Sequence, residues 1–111
     1  MNWNNLTKLD QLAEIKIQSE GQPVLLFKHS TRCSISDIAW TRIKDANLPE
    51  KAVYYYLDLL SHRDISNEIA QIFNVHHESP QVLLIRNNDC AYTESHLGIT
   101  VEDLTEQINS N

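Results

Sequence analysis

Leu6, Leu9, Leu12, Ala13 and Lys16 fall at helical spacing, and Thr7 and Asp10 stand like the two ends of a capping box. The pattern predicts a helix over about 6–19, closed by Gly21 and Pro23. Val24-Leu25-Leu26-Phe27 is a continuous apolar run suited to a strand covered on both faces, and His29-Ser30-Thr31-Arg32 then reads as a polar loop. From Cys33 the positions Ile35, Ile38, Ala39, Ile43 and Ala46 recur at helical spacing until Asn47-Leu48-Pro49 ends them, so a helix starts at or beside Cys33. Ala52 to Leu57 is short, β-branched and aromatic, which predicts a strand. Ile65, Ile69, Ile72 and Phe73 form the stripe of a further helix, with Asp64 its expected cap and His76-His77-Glu78-Ser79-Pro80 its exit loop. Gln81–Arg86 and Cys90–Thr93 are strand-like runs joined by Asn87-Asn88-Asp89, residues that tolerate left-handed backbone, so they form an antiparallel hairpin. Thr100 caps a last helix with Glu102 and Asp103 in its first turn and Val101, Leu104 and Ile108 facing inward.

The order αβαβαββα, without repeat or linker, describes one domain spanning residues 1–111. A βαβ unit followed by a hairpin and a helix is the core of the thioredoxin-like fold. The expected fold class is therefore α/β, with a four-stranded mixed sheet flanked by helices and one additional N-terminal helix.

The 41% of hydrophobic residues suffice for a core, and the 15 Asp and Glu against 9 Lys and Arg leave a formal charge of -6. That balance argues against a broad basic surface for nucleic acid and against attraction to anionic membranes. The opening MNWNNLTKLDQLAEI has neither a basic n-region nor an apolar h-region, and no apolar run approaches membrane-spanning length, so the expected location is cytoplasmic. Two dispersed cysteines are too few for a disulfide framework.

Chemistry concentrates at Phe27-Lys28-His29-Ser30-Thr31-Arg32-Cys33-Ser34-Ile35-Ser36, where a buried strand gives way to a loop and a helix opening at a cysteine. Unpaired N–H groups, the helix dipole and the adjacent cation Arg32 favour the thiolate, which is the nucleophilic form. A buried, inert Cys33 is the plain alternative, and the polar neighbours Ser30, Thr31, Arg32, Ser34 and Ser36 argue against it. Cys90, in a strand-like stretch with no helix start or cation beside it, reads as a packed or idle thiol.

The segment KHSTRCSIS, together with His77 to Ile85, Ser95-His96 and Ile99-Thr100-Val101, resembles the monothiol bacilliredoxin-like YtxJ family of the thioredoxin superfamily over nearly the whole chain. The resemblance implies a thiol-disulfide oxidoreductase with Cys33 as nucleophile. Its co-substrate is a low-molecular-weight thiol, bacillithiol by family, with no bound cofactor and no metal, and its partners are S-thiolated client proteins. It also implies a cis Pro80 facing Cys33, with Ser79 presenting its backbone to substrate and Thr31 and Ser34 completing the contact surface. From the residues alone Ser79-Pro80 is an ordinary trans turn. Ser36 stands where dithiol relatives carry a second, resolving cysteine, and its hydroxyl is expected to donate toward the thiolate. Ser34 replaces the family's usual proline, which leaves one more N–H near the sulfur but a less rigid first turn.

His29, His62, His76, His77 and His96 show no zinc spacing, and His29, four residues before Cys33, is placed second among candidates as an ion-pair or proton-transfer partner. Tyr54, Tyr55 and Tyr56 alternate between faces and serve packing rather than base stacking. Trp3 and Trp40 read as packing or surface aromatics. Two other functions remain open: a thioredoxin-fold binding or adaptor protein without turnover, and an iron–sulfur carrier like monothiol glutaredoxins. The carriers typically have Cys-Gly-Phe-Ser where this chain has Cys-Ser-Ile-Ser.

Overall fold

A computed structural model describes residues 2–110 of the chain. Its elements run β1 (Trp3–Asn5), α1 (Gln11–Gln18), β2 (Val24–His29), α2 (Ser34–Ile43), β3 (Val53–Asp58), α3 (Arg63–Ile72), β4 (Gln81–Arg86), β5 (Asp89–Ser95), a single 3-10 turn (His96–Gly98) and α4 (Val101–Asn109). The strands form one sheet in the order β1-β3-β2-β4-β5; β1, β3 and β2 are parallel, whereas β4 and β5 are antiparallel to their neighbours.

Every residue of β2 is buried because both faces of the central strand are covered. Alternation sends Val24 and Leu26 into one core with Leu12, Ile15, Tyr55, Leu57, Ile65, Ile69 and Leu83. Leu25 and Phe27 enter the other with Ala39, Ile43, Tyr54, Val82, Leu84, Leu104 and Ile108. A fully enclosed side chain such as Phe27 contributes about 1.5–3 kcal/mol. The turn at Asn87 and Asn88 has φ of 50° and 73°, the left-handed pair that a tight hairpin requires. Thr100 Oγ1 accepts the Asp103 N–H at 3.2 Å, so the last helix is capped as its sequence predicts.

Several local expectations are corrected. The sheet has five strands rather than four, because Trp3–Asn5 pairs in register with Tyr54–Tyr56 at the sheet edge. Trp3 also packs on Trp40 and Tyr54, with ring centroids 5.0 and 5.2 Å away. The first helix begins at Gln11, not near Leu6. Thr7 and Asp10 form no capping box; the Gln11 side chain instead accepts from the N–H groups of Thr7 and Lys8 at 2.8 and 2.9 Å. Leu9 is consequently exposed and Ile15 takes the core position. β2 runs on through Lys28 and His29, which belong to the buried strand and not to the loop. His62, not Asp64, precedes α3.

The topology gathers three segments at one end of the sheet. β2 and β3 are parallel, so the turns after His29 and Asp58 leave the same edge, and antiparallel β4 enters there at Gln81, paired with Lys28. Cys33 therefore lies beyond the end of the central strand, flanked by the β3–α3 turn on one side and Ser79-Pro80 on the other. Among the described residues no helix is long and apolar enough to cross a membrane.

Candidate active site

Cys33 is the residue before α2, extended at φ −114° and ψ 121°, and its carbonyl accepts the first helical bond, from the Asp37 N–H at 3.0 Å. No side chain caps this helix end, so the N–H groups of its first turn stay available to whatever stands there. The cysteine is half-buried and unpaired, with Thr31, Arg32 and Ser34 exposed around it. The sulfur is therefore accessible at the uncapped start of a ten-residue helix.

Ser36, one turn on, is completely buried and faces inward. Its Oγ accepts the Ser30 N–H at 3.0 Å and lies 2.7 Å from Nδ1 of His29, whose Nε2 is 3.3 Å from Asp37 Oδ1. Burial pushes the His29 imidazole below its usual range, with Asp37 and then Asp58 opposing the shift. A neutral ring that donates from Nε2 to Asp37 accepts at Nδ1, so the single hydroxyl proton of Ser36 points to His29. Among the described residues Ser36 Oγ bonds to Ser30 and His29, and the expected bond to the Cys33 sulfur is not formed. Ser36 ties the helix start to the end of β2 instead.

Ser79-Pro80 is a cis peptide, Pro80 is buried, and it stands one step past the last paired residues of β2 and β4, Lys28 and Gln81. Its carbonyl accepts the His96 N–H at 2.9 Å, and the Gln81 side chain holds the same loop by donating to the His76 carbonyl at 2.9 Å. The Ser79 hydroxyl is buried without a partner. Beneath the loop, Lys28 is fully buried, donates from Nζ to the Ser66 carbonyl at 3.1 Å and lies 3.3 Å from His77 Nδ1. Burial lowers this ammonium to about 8 and also lowers His77, so His77 offers a neutral acceptor to the lysine.

Sequence reasoning missed Lys28, the inward bonding of His29, and Asp37. Arg63 was missed too; it lines a shallow cavity with Thr31, Arg32, Leu60 and Ser61. A charged residue directly after a fully buried apolar run is the one signal that could have drawn attention to Lys28. Cys90 pairs with Ile85, level with Val24 at the far end of the sheet, so at least the length of β2 separates it from Cys33. Five strand rises amount to roughly 16 Å, more than twice the reach of a disulfide. Among the described residues no three His, Cys, Asp or Glu side chains are grouped as metal ligands.

The family model for the monothiol bacilliredoxin BrxC matches residues 4–104. The chain belongs to the monothiol bacilliredoxin family. A solved structure of a candidate oxidoreductase with a thioredoxin fold is 31% identical to this family member, the match covering 93% of this chain and 90% of the other at a TM-score of 0.80. Oxidised thioredoxin from Plasmodium falciparum superposes at a TM-score of 0.75 with 14% identity over 98% of this chain and 100% of its own. Fasciola hepatica thioredoxin gives 0.73 with 12% identity over 95% of each. The two thioredoxins establish the fold, and the bacilliredoxin family makes this a thiol oxidoreductase.

Proposed function

We propose that the protein removes a low-molecular-weight thiol, bacillithiol by family, from mixed disulfides on client proteins in the cytoplasm, using Cys33 alone. The Cys33 thiolate attacks the small thiol's sulfur, the mixed disulfide breaks, and the client cysteine leaves as a thiolate. Cys33 now carries the small thiol in a new disulfide. A second small thiol, as thiolate, attacks that adduct and releases a small-molecule disulfide and the Cys33 thiolate. Ser79 and Pro80 form the wall against which the client extends, Thr31, Arg32 and Ser34 border the sulfur, and Ser36 holds the helix that carries it.

The observation that carries this reading is the half-buried Cys33 at an uncapped helix start with serine, not cysteine, one turn on. The test uses a client protein bearing a bacillithiol mixed disulfide, incubated with wild type, Cys33→Ser and Cys90→Ser. Wild type and Cys90→Ser are expected to return the client thiol and gain one small-thiol adduct, mapped to Cys33 by mass spectrometry. Equal client reduction by Cys33→Ser would overturn the proposal.

A further inference from the structure

The protein contains four arginines, and they divide by use. Arg42 donates to the carbonyls of Leu97 and Ile99, and Arg86 to those of Gln107 and Ile108, so both clamp the ends of other elements. Among the described residues Arg32 and Arg63 make no such bond, and none of the ion pairs within 4.0 Å involves an arginine. These two free guanidiniums line one cavity of about 420 Å³ together with Thr31, Leu60 and Ser61. Arg32 is the residue before Cys33, and Arg63 opens α3 across the β3–α3 turn. Asp58, which closes β3, is already engaged, accepting from the Leu60 N–H at 3.2 Å and the Ser61 hydroxyl at 3.0 Å. In a chain of net charge -6, a pair of uncompensated cations beside the nucleophile is a localised anion-attracting site.

The geometry points to the cavity between Arg32 and Arg63 as the binding site for carboxylate groups on the small thiol, with Arg63 a specificity-determining residue. This rests on the monothiol reading above and divides the labour around Cys33. The protein half of a mixed disulfide lies along Ser79-Pro80 on the β4 side, and the charged body of the small thiol lies on the β3 side. Planar guanidiniums suit carboxylates because they offer paired N–H donors, which a single ammonium does not. Thr31 adds a hydroxyl that donates to the same oxygens.

The test measures the second-order rate of adduct formation on Cys33 by mass spectrometry with two disulfides. Oxidised glutathione carries carboxylates, and bis(2-hydroxyethyl) disulfide is neutral. In each case the thiolate breaks the probe's sulfur–sulfur bond, keeps one half and releases the other as a thiolate. Arg63→Gln is expected to slow the reaction with oxidised glutathione about tenfold, as loss of one charge-assisted contact implies, and to leave the neutral disulfide within about twofold. Arg63→Lys restores part of the lost rate, and added salt narrows the gap between the two probes in wild type. Equal slowing with both probes, or no slowing with either, overturns the site while leaving the monothiol reading intact. Failure of wild type to form a Cys33 adduct with either probe overturns the monothiol reading itself.

Discussion

The hydroxyl of Ser36 lies 2.7 Å from Nδ1 of His29 with both side chains buried, which turns the residue one helical turn beyond Cys33 away from the sulfur and into the protein. The same oxygen receives the Ser30 N–H, so one side chain fastens the start of α2 to the end of β2. Removing it strands the buried His29 ring nitrogen and the half-buried Ser30 N–H. Ser36→Ala is therefore expected to lower unfolding free energy by about 1–3 kcal/mol in urea titrations, while still forming the Cys33 adduct. A variant as stable as wild type would show that the network contributes nothing.

Ser36→Cys installs a thiol about one helical turn beyond Cys33, and a tethered thiol competes at high effective concentration with one that must diffuse in. After oxidation with excess small-molecule disulfide, wild type is expected to retain its adduct. The variant is expected to lose it to an internal disulfide between Cys33 and the introduced thiol, seen as a loss of two hydrogens without added mass. Retention of the adduct by the variant would mean that the inward orientation at position 36 keeps the sulfurs apart.

The His29 imidazole is held below its usual range by burial, so the unfolded chain, with an ordinary value near 6.5, takes up a proton first as pH falls. Stability is expected to decline from about pH 6.5 downward, through the folded-state value. The decline should be shallower in His29→Gln, after both are compared at about pH 7.5, where the ring is neutral in both states. Nitrogen chemical shifts at neutral pH should place the His29 proton on Nε2, facing Asp37. A proton on Nδ1 would free the Ser36 hydroxyl and reverse the assignment.

Lys28 is fully buried without a carboxylate, and its ammonium is lowered from 10.5 to about 8. Below about pH 8 both folded and unfolded states carry the charge, and the folded state bears its desolvation. As pH rises from 8 to 10.5 only the unfolded state keeps the proton, so wild type gains stability over that window. Lys28→Met is accordingly expected to stabilise the protein at about pH 7 by about 1–3 kcal/mol and by progressively less toward about pH 10. Denaturation midpoints at both pH values decide it; a destabilised variant at neutral pH would mean that the bonds to Ser66 and His77 outweigh the buried charge.

Burial pushes the Cys90 thiol up, and its Sγ donates to the Tyr92 carbonyl at 3.3 Å. Brief alkylation of the native protein at neutral pH is expected to label Cys33 first and Cys90 only after denaturation. A Cys33–Cys90 disulfide as the main oxidised product would require the sheet to come apart, because the two residues stand at its opposite ends.

Local physics alone sufficed for much of this protein. The apolar run of β4, the paired asparagines of the hairpin turn, the Thr100 cap and the helix opening at Cys33 all follow from neighbours a few residues apart. The placing of Cys33 at a helix start was legible because it is local, a helix end beside a polar loop. Other features depend on contacts distant in sequence. Trp3–Asn5 becomes a strand only because Tyr54–Tyr56 offers it a free sheet edge, and His29 is drawn inward by Ser36 and Asp37 on a helix not yet begun. Arg63 shares a cavity with Arg32 only because β2 and β3 run parallel and release their turns at the same end of the sheet. Burial and proximity between distant segments are properties of the packed chain, so no periodicity within a single segment encodes them.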